Sequence, residues 1–129
     1  LDYFAVSPAL RGGGIGGQVL ELLKQWAFQK APMLLAEVED PDFATQEGDR
    51  SIRNRRIGFY QRNGFDLSGV NAQVLQDHYR IIAAGDFDGE KVYREMTKLY
   101  FDMAGETFFR RHITVFSTSS QKTRESDGI

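Results

Sequence analysis

A chain of 129 residues, 41% hydrophobic and with ten phenylalanines, can build one domain with a real core and is not a disordered segment. A formal net charge of −2 leaves no basic footprint of the kind a dedicated nucleic-acid binder carries. The absence of cysteine excludes a disulfide framework and a thiolate metal site, and two distant histidines, His78 and His112, exclude a structural zinc.

The chain opens "LDYFAV", and residues 2–6 read as a short strand of aromatic and β-branched type. It begins inside a strand and without Met, so the expectation is a piece of a longer protein. No apolar run approaches ~20 residues and no signal peptide precedes the strand, so a cytoplasmic protein without a membrane span is expected. "SPALRGGG" follows as turn and loop. Residues 15–30 then take a helical period, with Ile15, Val19, Leu22, Leu23 and Trp26 on one face and Pro32 enforcing the stop.

The stretch "RGGGIGG", from Arg11 to Gly17, puts five glycines into six positions directly before that helix. A helix leaves its first amides without partners, and Ser, Thr, Asp or Asn normally caps them. None is present, and the first acidic residue is Glu21, beyond the first turn. The helix dipole is thus left open to an outside anion, and bare glycine backbone can approach one closely. Arg11 adds a full positive charge, and the arrangement suits a pyrophosphate. A Walker loop is excluded, because its Gly-Lys-Ser/Thr ending is here Gly-Gly-Gln. A Gly12, Gly14, Gly17 spacing of dinucleotide type lacks a clean acidic partner after the second strand, although Glu39 and Asp40 are candidates.

"MLLAEVE", 33–39, reads as a buried strand that alternates at its end, with Glu37 and Glu39 on the face of Leu35. A polar loop leads to a second helix over 50–62, in which Ile52 and Phe59 define the apolar stripe, and "NGF" supplies the stop. Strand, helix, strand in this order predicts a parallel crossover. Segments 66–75 and 78–85 read as two strands in a hairpin. Residues 88–105 predict an amphipathic helix with Val92, Met96, Leu99 and Met103 in line. Residues 107–116 fit strand or helix equally. The tail, 117–129, is expected to be disordered, with the domain spanning 1–116.

Two motifs in this order, Arg11-x-x-Gly14-x-Gly16 after a strand and "RRIGFYQRNGF" at 55–65, resemble the acetyl-CoA loop and the later helix of the GNAT superfamily of N-acetyltransferases. The second resembles the pattern A-x-x-F-Y-x-x-x-G-F, with Phe59, Tyr60, Gly64 and Phe65 in place. The "Val-x-Pro" before the loop, at Val6 to Pro8, is similar to the family's lead-in. The resemblance implies an α/β fold, a mixed sheet flanked by helices, lacking the family's first strands.

It also implies acetyl-CoA as cofactor. The pyrophosphate would lie on the amides of Gly12, Gly13, Gly14, Ile15, Gly16 and Gly17 beside Arg11. The pantetheine arm would pair with Phe4, Ala5 and Val6. Tyr60 would be the acid that protonates the leaving thiolate, a task that suits a phenol of pKa about 10. Glu37 would be the base for the acceptor amine. Family members often carry Asn seven residues before the Tyr. Here that position is Arg53, with Asn54 displaced by roughly 100°, and Arg53 and Arg56 would meet the phosphate or adenosine end of the cofactor. No metal is implied. The expected partners are a small-molecule or peptide amine and a second copy of the chain in a homodimer, whose contacts would cover Tyr3, Phe4 and Val6. A non-catalytic acyl-CoA-binding or interaction domain is the alternative from another class.

Overall fold

The computed structural model describes the backbone of residues 4–6 and all of residues 17–118. Strand β1 (Phe4–Val6) pairs in parallel with β2 (Met33–Glu39), with Phe4 opposite Leu34 and Val6 opposite Ala36. Helix α1 (Gly17–Phe28) is the crossover between them. The backbone returns at Pro32 because proline cannot continue a helix. β2 is buried from Met33 to Ala36 because both faces of the sheet are covered there, and its polar positions begin at Glu37, where the cover thins.

After β2 comes a single 3-10 turn (Pro41–Phe43), capped by the Asp40 side chain, which accepts from the amide of Asp42. Helix α2 (Glu47–Arg62) follows, with Glu47 and Asp49 in its first turn and Arg62 in its last, the order the helix dipole favours. Gly64 takes φ +90° beyond its end. β3 (Asp66–Val74) and β4 (Asp77–Gly85) form the expected hairpin, Val74 opposite Asp77, with Leu75 in the turn at φ 56°. The β3–β4 register shifts between Leu67 and Val70. There Ser68 donates from its hydroxyl to the Ile81 carbonyl at 2.6 Å and accepts from the Val70 amide.

Helix α3 (Gly89–Ala104) is capped by Asp88, which accepts from the Lys91 amide. The segment at 107–116 is neither all helix nor all strand. A short helix α4 (Glu106–His112) carries Arg110, Arg111 and His112 in its last turn, where cations suit the dipole. The β-branched run Ile113, Thr114, Val115 then starts strand β5 (Ile113–Ser117). The expected tail falls almost entirely outside the described residues.

The sheet is mixed and five-stranded, in the order β1-β2-β4-β3-β5. β4 inserts antiparallel between β2 and β3, so the hairpin folds back into the sheet and does not extend it. Among the described residues β1 ends the sheet on its side, paired with β2 alone. One face packs Leu34, Ala36, Val38, Ile82 and Ala84 against Leu20, Ala27, Ile57 and Tyr60 of α1 and α2. The other packs Met33, Leu35, Ile81 and Ala83 against Val92 and Met96 of α3.

Both early helices bury a face other than the one expected. On α1 the buried positions are Leu20 and Ala27, while Val19, Leu22 and Trp26 are exposed. The helix carries apolar residues at 19, 20, 22, 23, 26 and 27, two neighbouring stripes, and the sheet takes the one whose small Ala27 permits close approach. On α2 the buried pair is Ile57 and Tyr60. Ile52 is exposed, and Phe59 packs only at the margin. Met103, expected on the inner stripe of α3, is also exposed; the stripe ends at Leu99 and Tyr100.

Candidate active site

The site is built at the last described rung of the β1–β2 ladder. Val6 is the last described residue of β1 and lies opposite Ala36, and Glu37 is the next residue of β2. Strand alternation puts Glu37 on the face of Leu35, as the sequence reading expects, and that face is the one covered by α3. There Tyr100 of α3 donates from its hydroxyl to Glu37 Oε2 at 2.6 Å.

Helix α1 starts at Gly17 with no acidic residue in its first turn. A Cβ added at Gly17 would come within 3.1 Å of Asn63 Oδ1, so the start of α1 lies against the end of α2. Tyr60 is in the last turn of α2. It is 3% exposed, its ring edge-on to Phe59 and Phe65 at 5.4 and 5.3 Å, on the Leu34–Ala36–Val38 face of the sheet. Tyr60 and Glu37 thus stand on opposite faces of β2.

Arg53 shares a helix face with Ile57 and Tyr60 at positions i, i+4 and i+7. Its guanidinium is committed to the end of β2: Nε meets Glu39 Oε2 at 3.2 Å and Nη1 donates to the Asp40 carbonyl at 2.9 Å. About 15 Å of helical rise separates it from Asn63, next to which α1 begins. Arg56 is exposed. Arg11, Gly12, Gly13, Gly14, Ile15 and Gly16 lie outside the described residues, and Phe4, Ala5 and Val6 are described as backbone only.

The sequence reading missed three residues. Asp40 is 2% exposed and is the hub of the turn after β2. It accepts from Arg80 Nε at 3.1 Å and from the Asp42 amide at 2.9 Å, while Arg80 Nη2 also meets Asp42 at 3.0 Å. The Asp-Pro pair at 40–41 was the available signal, since a short polar acceptor before proline is a turn cap. Lys24 was hidden because a lysine on an amphipathic helix reads as a solvent-facing residue. Tyr100 was legible only as one more aromatic residue on the inner stripe of α3.

A parallel strand–helix–strand unit whose helix has no acidic residue in its first turn, feeding a mixed sheet with an inserted hairpin, defines an α/β domain flanked by helices. The family model of the acetyltransferase (GNAT) family matches residues 1–65, and the chain belongs to that family. Among solved structures it is similar to a candidate acetyltransferase from the GNAT family from Bacteroides thetaiotaomicron. The identity is 30% and the TM-score 0.55, over 81% of this chain and 61% of that one. This chain therefore spans about three-fifths of the length of that relative. No curated protein matches it. Among the described residues no helix is long and apolar enough to cross a membrane.

Proposed function

We propose that this chain transfers an acetyl group from acetyl-CoA to an amine, of a small molecule or a peptide. The observation that carries the reading is the β1–α1–β2 unit itself: a parallel pair described from Phe4–Leu34 to Val6–Ala36, joined by a helix whose first turn at Gly17 holds no acidic residue, within the family-matched stretch. A carboxylate in that turn would repel a pyrophosphate, so its absence fits the cofactor. In this reading Arg11 and the amides of Gly12 to Gly17 hold the pyrophosphate, and the backbone of Phe4 to Val6 holds the pantetheine arm. Arg56, exposed on α2, serves the phosphate or adenosine end. Arg53, held by Glu39 and Asp40, shapes the end of β2 instead.

Bound there, acetyl-CoA supplies an activated thioester. Glu37 takes a proton from the acceptor nitrogen, directly or through a water. The Tyr60 hydroxyl gives a proton to the departing sulfur. The two groups do not compete for one proton, because β2 lies between them.

The test is calorimetry of acetyl-CoA binding to the chain and to Gly14→Asp, with thiol release measured against a panel of primary amines. A side chain and a like charge at residue 14 should abolish binding while the far-UV spectrum stays unchanged. Equal affinity in the two proteins would remove the loop from the site, and no thiol release from any amine would remove the activity.

A further inference from the structure

We propose that Tyr100 is a positioning residue that fixes the carboxylate of Glu37 for proton abstraction, an inference that rests on the acetyl-transfer reading above. The contact joins residues 63 positions apart in sequence, at 2.6 Å between Tyr100 Oη and Glu37 Oε2. That length is typical of a hydroxyl donating to a charged carboxylate, the stronger and more directional class of hydrogen bond.

A fixed partner matters for a base at this position. Glu37 follows Ala36, the last residue of β2 with a described β1 partner, at the point where the buried run of β2 gives way to polar positions. A glutamate has three side-chain torsions, and each must be held for its carboxylate to keep one position. Tyr100 has two, and its half-buried ring belongs to the cluster formed by Met33, Leu35, Val92 and Met96. Helix α3 is held by the Asp88 cap at one end and by the buried Val92 and Met96 along its length. The hydroxyl is thus carried on a rigid element, and the bond passes that rigidity to the carboxylate.

The device lies outside the stretch that the family model covers. That match ends at residue 65, whereas α3 begins at Gly89. The base is therefore supplied by one part of the chain and aimed by another.

The experiment is a double-mutant cycle on the full chain. Tyr100→Phe, Glu37→Gln and the double variant are assayed with acetyl-CoA and the primary amine on which the parent chain releases most thiol. Tyr100→Phe keeps the ring and should leave the thermal midpoint within a few degrees of the parent. Its kcat should fall about 10-fold with the KM for acetyl-CoA unchanged, as expected when a reacting group is held loosely. Glu37→Gln should lose about 100-fold or more, and adding Tyr100→Phe to it should cost nothing further, because no base is left to aim. Parental kcat in Tyr100→Phe, or multiplying losses in the double variant, overturns the positioning role and leaves Glu37 as base. Parental kcat in Glu37→Gln, or no thiol release from any amine, overturns the reading of the site and the role of Tyr100 with it.

Discussion

Lys24 on α1 donates from Nζ to the main-chain carbonyl of Asn63 at 2.7 Å, just past the last residue of α2. The last carbonyls of a helix have no partner within it, and a cation there also meets the negative end of the dipole. Asn63 in turn donates from Nδ2 to the Phe59 carbonyl at 2.8 Å. The turn that carries Tyr60 is thus clasped by the helix that follows the glycine loop. Replacing Lys24 by Met keeps the stem and removes the donor. The expected loss is about 1–2 kcal/mol, read by urea denaturation. An unchanged midpoint would show that water serves the carbonyl equally well.

Gly85 and Gly105 make a matched pair. Both have positive φ, +96° and +87°. A Cβ at Gly105 meets open space, whereas at Gly85 it runs into the carbonyl oxygen of Pro32 and lies 2.7 Å from Phe28 Cε1. The Pro32 carbonyl cannot move freely, since it accepts from the Asp86 amide at 2.9 Å. Gly105→Ala should therefore cost about 1 kcal/mol from backbone strain alone. Gly85→Ala should cost clearly more, about 3 kcal/mol, from strain plus a clash with fixed backbone. Equal losses in denaturant titrations would contradict the packing at Pro32.

Asp40→Ala should destabilise by about 3 kcal/mol, because it removes the shielded partner of Arg80, leaving it only the exposed Asp42, and removes the cap of the 3-10 turn. The Arg80–Asp40 pair is largely shielded, with side-chain exposures of 24% and 3%. The Arg110–Glu106 pair on α4 is the contrast, at 73% and 57%, and Arg110→Ala should stay within about 0.5 kcal/mol. Added salt should leave the first loss almost intact. Thermal melts at low and high ionic strength check both statements.

Tyr60→Phe separates the two roles open to that residue. Its ring fills the core between Phe59 and Phe65, and Phe preserves that packing. If the hydroxyl gives the proton to sulfur, turnover falls by about 100-fold while acetyl-CoA affinity holds. Parental turnover would return Tyr60 to a packing role. Steady-state kinetics with calorimetry decides.

The order of elements was legible through β4 because each carries its own period and its own stop: Pro32 after α1, Gly64 after α2, the hairpin between Val74 and Asp77. The facing of α1 and α2 was not. On α1 two apolar stripes adjoin, and only the strand beneath, with Lys24 reaching for Asn63, selects the one containing Leu20 and Ala27. On α2 the inner face runs Arg53, Ile57, Tyr60, and a periodicity count assigns arginine to solvent. Glu39 and the Asp40 carbonyl, brought there by β2, reverse that assignment. Glu37 was readable from strand alternation. Its partner Tyr100 was not, since a contact spanning 63 positions leaves no local trace in either segment.

The division of Tyr60 and Glu37 between the two faces of β2 has a consequence for evolution of the acceptor. In the proposed reading the proton given to sulfur comes from Tyr60 in the α1–α2 layer. In the same reading the proton from nitrogen goes to Glu37 on the α3 face, which Tyr100 reaches from beyond the residues that the family model matches. Substitutions on α3 would then act on the nucleophile's side and leave the donor's side untouched. In that reading the sheet works as a bulkhead between the donor's compartment and the acceptor's.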